Sequence, residues 1–372
     1  MKKIQIITLL AMISLTAMAQ KPKVYVTREI TPQSLVRIYK ALGRRAEGKV
    51  AVKISTGEAG NPNYLKPELI APLVQLVDGT IVECNTAYGG KRSSTEEHMR
   101  VAEEHGFTAI APVDIMDAEG EIRIAVRDTT HLRYDIVGSH LQRYTFLINL
   151  SHFKGHPMGG LGGALKNQSI GIASANGKAY IHTAGKQETV EGMWKNVSDQ
   201  DGFLESMAAA AQGVADYFGD RILYINVMNN MSVDCDCVAH PAAVSMRDYG
   251  ILASTDPVAL DKACADIIFN MPADEENDSE AMKERINSRH GMHTIEYAER
   301  IGLGSTAYDL INIDTPEPYP PPHSHKAVGG EVAVSIRQEC GRRALHRFTR
   351  NSPHSSAHNK TTLYNDAGGH DV

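Results

Sequence analysis

Five cysteines in 372 residues (Cys84, Cys235, Cys237, Cys264 and Cys340) are too few and too scattered to staple a disulfide scaffold. Basic residues are also in deficit: 38 Lys and Arg against 44 Asp and Glu give a formal charge of -6. A general nucleic-acid binder needs the opposite, a clustered cationic footprint that phosphates can neutralise. Beyond the first residues no stretch is apolar enough to span a bilayer, so no stable membrane insertion of the mature chain is expected. No repeat of fixed period is present, which sets aside solenoids and propellers. With 42% hydrophobic and 22% charged residues the bulk of the chain is neither disordered nor fibrous.

The two ends differ from the middle. Lys2 and Lys3 precede a mostly apolar run over residues 4–18, and Ala17-Met18-Ala19 offers the small-x-small pattern of signal peptidase, with cleavage before Gln20. An uncleaved anchor is the weaker alternative, because Thr8, Ser14 and Thr16 interrupt a run already shorter than the roughly 20 residues a span needs. No Cys follows the small residues, so no lipid anchor is indicated. Residues 1–19 are read as a signal peptide, and the mature protein as soluble and periplasmic or secreted. At the other end, residues 316–322 hold five prolines, and the segment 315–372 carries 7 basic against 5 acidic residues and 6 of the 16 His. It is read as a disordered or atypical tail, or an out-of-frame end.

Residues 20–314 remain as a single α/β body. β-rich runs at residues 23–27, 49–55 and 80–84 alternate with helical patterns at 31–45, 67–77 and 93–105, the last opened by Ser93 with Glu96 three residues on. Further strands are expected at 144–150, 221–228, 249–254 and 308–313, and helices at 203–218, 257–270, 280–288 and 294–301, with Asp256 capping the one that begins at Pro257. Short connections in strand-helix-strand order point to a largely parallel or mixed sheet flanked by helices.

The chemistry is expected at the ends of those strands. Residues 151–167, SHFKGHPMGGLGGALKN, follow a buried strand, and five glycines within residues 155–163 would let the backbone approach an anion beside Lys154 and Lys166. The segment is neither a Walker loop nor a GxGxxG fingerprint, and a glycine crossover with solvated lysines is its plain alternative. His152, His156 and Lys166 are the catalytic candidates, and Lys154, Gly160, Gly163 and Asn167 the anion-binding ones. Residues 85–92, NTAYGGKR, add Asn85 and Tyr88 to fix orientation and Arg92 to fork onto a carboxylate or phosphate; a plain strand-to-helix connection is equally open. Ser55-Thr56-Gly57-Glu58 occupies the equivalent place after the preceding strand. His182 is a weaker acid/base candidate, and Asp261 is read as a helix-surface or supporting carboxylate. Residues 229–241, NNMSVDCDCVAHP, put two thiols one residue apart, with Asp234, Asp236 and His240 nearby. That pattern suits zinc or iron held by Cys235 and Cys237, completed by Cys84 or a distant His; a local disulfide and two unreacted buried thiols are the alternatives.

The run SHFKGHPMGGLGGALKN, with AYGGKR upstream and VDCDC followed by GILASTDPVALDKAC downstream, resembles the bacterial family catalogued as domain of unknown function 362, over roughly residues 23–314. Members are often described as iron-sulfur centre proteins, which implies an iron-sulfur or metal centre at the Cys pair and a separate redox partner. This chain has no C-x2-C-x2-C-x3-C run to hold a ferredoxin-type cluster by itself. The spacing His156, Gly160, Gly163, Lys166 is also similar to a segment of nickel-pincer lactate racemases, in which a His shuttles protons and a Lys tethers the cofactor. Three functions follow as expectations: an exported, metal-dependent isomerase, racemase or oxidoreductase acting on a small anionic molecule; a non-enzymatic iron-sulfur or metal-centre protein; or a periplasmic ligand-binding module.

Overall fold

The computed structural model describes residues 20–274 and 277–314. The expectations for residues 1–19 and 315–372 lie outside the described residues, as does all of the second of the two units into which the chain divides, Met1–Tyr319 and Pro320–Val372.

In chain order the elements are β1 (Lys23–Thr27), α1 (Pro32–Ala41), β2 (Val50–Lys53), α2 (Pro67–Leu76), β3 (Thr80–Glu83), α3 (Thr95–Glu104), β4 (Val113–Ile115), β5 (Glu121–Ile124), β6 (Asp135–Gly138) and β7 (Phe146–His152). There follow β8 (Lys154–His156), β9 (Gly160–Gly162), α4 (Ala164–Ser169), α5 (Ala175–His182), α6 (Gln200–Phe218), β10 (Ile222–Met228), β11 (Gly250–Ser254), α7 (Pro257–Asn270), α8 (Ser279–Ser288), α9 (Met292–Arg300) and β12 (Asp309–Asn312).

Eight strands form one sheet in the order β12-β1-β11-β10-β7-β2-β3-β4. Only β11 runs against the others, being antiparallel to both β1 and β10. Five neighbouring strands, β10, β7, β2, β3 and β4, are mutually parallel. All seven residues of β7 and of β10 are buried, the pattern of parallel strands covered on both faces. One face carries Leu35, Ile38 and Tyr39 of α1 and Ile70, Leu73 and Val74 of α2 against Val52, Ile148, Leu150 and Ile225. The other carries Ala208, Ala211 and Val214 of α6 and Ala259 and Ala263 of α7 against Ala51, Leu147, Tyr224 and Leu252. The α/β class with a mixed sheet is therefore observed.

Most boundaries fall within a few residues of the sequence pattern, and the exceptions have local causes. The first helix stops at Ala41 instead of 45, because Gly43 takes a left-handed φ of 67° just past its end. The third begins at Thr95 with Ser94 as its N-cap, while the Ser93 hydroxyl donates to the Gly90 carbonyl at 3.0 Å instead of capping. The Gly-rich segment is a small antiparallel hairpin, β8 with β9.

This topology locates the site. From β2 the chain steps outward to β3 and β4, whereas from β7 it steps the other way to β10, so the order reverses between β2 and β7. In an open parallel sheet that reversal leaves a crevice beyond the carboxyl ends of the strands. Asp256 closes the opposite side as expected: its carboxylate accepts from the backbone N–H groups of Val258, Ala259 and Ser305, each at 2.9 Å. Asp256→Ala is expected to lower unfolding free energy by about 1–2 kcal/mol, the worth of an N-cap, with an unchanged slope in urea titrations followed by circular dichroism.

Candidate functional site: a cationic cleft at the strand ends

Two otherwise apolar strands end on a charge. Lys53 closes β2 (VAVK) and Glu83 closes β3 (TIVE), and both are buried. Lys53 Nζ donates to the Ile54 carbonyl at 2.5 Å and to Asn167 Oδ1 at 3.1 Å, and pairs with Glu83 Oε2 at 3.3 Å. Glu83 also accepts from the Thr56 hydroxyl at 2.7 Å and faces Arg92 Nη1 at 3.3 Å and His98 Nε2 at 3.7 Å. Burial acts to raise the Glu83 carboxyl, but Lys53, the His98 hydrogen bond and Arg92 together hold it well below the usual range. Arg92 is tied a second time, to buried Glu58 at 3.5 Å.

The next strand end is fastened by Asp236. His152, last residue of β7, meets the Asp236 carboxylate through Nδ1 at 2.8 Å and the Asn229 carbonyl through Nε2 at 2.6 Å. Both ring nitrogens are thus engaged by groups of the protein itself. Lys154 Nζ donates to the other Asp236 oxygen at 2.5 Å. Burial would raise Asp236, yet His152 and Lys154 outweigh it and hold the carboxyl far below its ordinary value. This triangle ties the loop after β10 to the start of β8, and Gly155 is required there because a Cβ would lie 2.3 Å from the Val233 carbonyl oxygen.

The hairpin then delivers α4. Asp261, buried on α7, accepts from Ala164 N–H at 2.7 Å, Leu165 N–H at 2.9 Å and Asn226 Nδ2 at 2.7 Å. The N-terminus of α4 therefore already holds an anion, and it belongs to the protein. Burial pushes Asp261 up to about 6. A Cβ on Gly163 would sit 2.4 Å from Asp261 Oδ1, and Gly160, with φ 76°, abuts Gly291. Close packing calls for glycine at both positions, and Gly163 also lines the cleft described next.

These anchors surround a narrow cleft lined by five Lys and Arg side chains, Lys53, Arg92, Lys154, Lys166 and Lys178, together with His152, against Glu83 and Asp236. Lys178 Nζ donates to the Ala173 carbonyl at 2.6 Å. Among the described residues Lys166 alone of the five has no hydrogen-bond or ion-pair partner. Burial, then Lys154, Lys53 and Arg92, lower its amine to about 7, with Asp236 opposing. Of the other sequence candidates, Tyr88 and Asn167 line the cleft. Asn167 is committed to Lys53 and Asn149. Asn85 points elsewhere, donating to the Thr95 hydroxyl at 2.9 Å and facing His98 Nδ1 at 3.3 Å.

His156 accepts from the backbone N–H groups of Met158 and Gly159 through Nδ1, at 3.1 and 2.8 Å. Burial, Lys166, His182 and Lys154 hold it far below the usual histidine range. It is thus a neutral imidazole with its proton on Nε2, where it can act as a hydrogen-bond donor. His182 is its complement: Nδ1 donates to the Lys178 carbonyl at 2.6 Å and leaves Nε2 as a lone pair, with burial, then Lys166 and Lys178, lowering the ring to about 4.

Cys235 and Cys237 are joined as a disulfide. A cystine sulfur carries no thiolate charge for a metal, so the expected metal-ligand pair is present in oxidised form. The two sulfurs and a His156 nitrogen do lie within 4.8 Å of one another, a Cys/His grouping able to hold an ion once reduced. His156 Nδ1 is already occupied, however, and Cys84, whose thiol burial pushes up, donates to the Ile172 carbonyl at 3.2 Å outside that grouping. Two sulfurs do not make the four-ligand set of an iron-sulfur cluster, and such a cluster does not fit the described residues. Lys53, Glu83 and Lys178 were missed from sequence; a charge terminating an apolar strand was the signal that could have found the first two.

Fold and site together define an α/β protein with an electropositive crevice at the switch point of a mixed sheet. Residues 50–266 match the model of the family described as Domain of unknown function (DUF362), and the chain belongs to that family. No curated protein matches it. Among solved structures it is similar to the lactate racemase apoprotein from Thermoanaerobacterium thermosaccharolyticum, at 14% identity and TM-score 0.34, covering 55% of this chain and 50% of that one. It is also similar to a protein from Thermotoga maritima, at 11% identity and TM-score 0.36, covering 72% and 58%. The chain thus spans between half and three fifths of the length of these two.

The Asp236 triangle has a pH signature. Its carboxyl is depressed on folding, so its contribution is complete above the unfolded value of about 4 and is lost as pH falls toward the folded value. Wild-type stability is expected to fall steeply below about pH 4. Asp236→Asn should lose about 3–5 kcal/mol at neutral pH, the cost of leaving buried cations unpaired, and show a shallower acid limb in denaturant titrations between pH 2 and 7.

Proposed function

We propose that this protein is an exported enzyme that binds a small carboxylate or phosphate in the cationic cleft and moves a proton on it. The observation that carries this reading is the convergence of five Lys and Arg side chains on one crevice, four of them satisfied by the protein and Lys166 left free. The satisfied four set the potential and repel a second cation, while Lys166 is the group with unspent donor capacity. An amine near neutrality is matched to proton transfer at physiological pH, and the same property suits it to carbonyl addition. His156 lines the adjoining hollow with Lys166, and from there its Nε2–H can polarise an oxygen of an anion held at that amine without carrying a charge. The reading favoured is an isomerase or racemase, because these side chains supply an acid, a base and a hydrogen-bond donor for a substrate oxygen.

Competitive acylation of all amines, read residue by residue by mass spectrometry, tests the assignment. Lys166 should reach half-maximal reactivity near pH 7, and millimolar phosphate or acetate should protect it. Reactivity rising only near the ordinary lysine value of about 10.4, or no protection by either anion, overturns the proposal.

A second reading, a metal-centre protein, is favoured by the grouping of His156, Cys235 and Cys237. It predicts that protein reduced with a phosphine binds one zinc ion in elemental analysis, that Cys235→Ser/Cys237→Ser abolishes this, and that oxidised protein binds none. Equal zinc in the reduced protein and in the double variant would remove the pair from consideration.

A further inference from the structure

Beside the cationic cleft lies a second hollow of different character, about 190 Å³ in volume and walled chiefly by Pro157, Met158, Ile170, Phe203, Trp194 and Val238. It is continuous with the cleft: Tyr88, Lys166, Ile170 and Cys237 line both. The only tryptophan of the chain stands at this hollow with 54% of its surface exposed. Its indole meets Tyr88 at a centroid distance of 6.3 Å and 47°, and His182 edge-on at 6.2 Å and 69°. His182 stacks on Phe203 at 4.7 Å. The result is an aromatic corner with one open face.

Leaving an indole more than half in water forgoes the largest apolar burial available to any side chain. The groups around it are uncharged: His182 is neutral, and Tyr88, Phe203 and Met158 have no charge to offer. The corner also begins at Lys166, where the anionic head of a ligand would be held. A cleft that takes only a small inorganic ion has no use for an adjoining apolar chamber.

Resting on the anion-binding reading above, we infer that the ligand is amphipathic, a carboxylate or phosphate monoester with a planar apolar group, its head at Lys166 and its ring in the corner formed by Trp194, Tyr88 and Phe203. Trp194 is then a specificity-determining residue. It touches the tail and not the reacting head, so it sorts substrates by affinity.

Matched probes test this. Acetate and phenylacetate share a head and differ by a ring, and benzyl alcohol has the ring without the charge. Phenylacetate should protect Lys166 from acylation at concentrations at least about tenfold lower than acetate, the scale of one buried ring, and should change Trp194 fluorescence on titration. Benzyl alcohol should do neither in the same range. Trp194→Ala should bring phenylacetate to the concentration range of acetate, and Trp194→Phe should keep most of the difference. Equal protection by acetate and phenylacetate overturns the inference and leaves the anion site standing. An undiminished preference for phenylacetate in Trp194→Ala also overturns it. Protection by neither anion overturns both this inference and the functional reading on which it rests.

Discussion

Buried positive charge is the constraint on which this structure turns. An ammonium or guanidinium removed from water is tolerated only where acceptors replace the lost solvation, and the chain meets that demand in two clusters. Glu83 faces Lys53, Arg92 and His98 at once, and Asp236 serves His152 and Lys154. Each carboxylate ties different strand ends together, so the charge balance of the cleft and the docking of its loops are one set of interactions. Lys166 stands outside this accounting. Its amine is surrounded by the cations the others bring, and its affinity for a proton falls accordingly.

The glycines of the hairpin follow from the same economy of space. Asp261 must reach the first N–H groups of α4, and Gly163 lets it approach. A carboxylate from inside the fold thus takes the place often held by a ligand at a helix N-terminus. What remains for an external anion is side-chain charge, which is longer in reach and more adaptable than a backbone nest. The glycines of the segment thus serve the packing of α4 against Asp261.

Much of the fold was legible because β7, β10 and β11 are rich in apolar residues and wholly buried, and because Thr31-Pro32 and Asp256-Pro257 are unambiguous helix starts. The hairpin was not legible as one, since KGH and GLG carry no alternation of apolar and polar residues. In the site, His156, Lys154, Lys166, Tyr88 and Arg92 could be nominated by type and position. The commitments of His152, Asn85 and Asn167 could not, because each depends on a partner distant in sequence: Asp236, His98 or Lys53. Asp261 was passed over for the same reason. A carboxylate on an apolar helix reveals its purpose only when the opposing backbone is in place.

The sheet order bears on how the protein is made. The strand β1 is the first to leave the ribosome, yet its neighbours are β11 and β12, pairing Tyr25 with Ala253 and Lys23 with Asp309. One whole edge of the sheet therefore stays open until almost the last residue of the body has been synthesised. Contacts so remote in sequence pay their loop-closure entropy before any return and form slowly. A growing chain with this connectivity remains incompletely folded throughout elongation. That long unfolded interval is when chaperones can engage it.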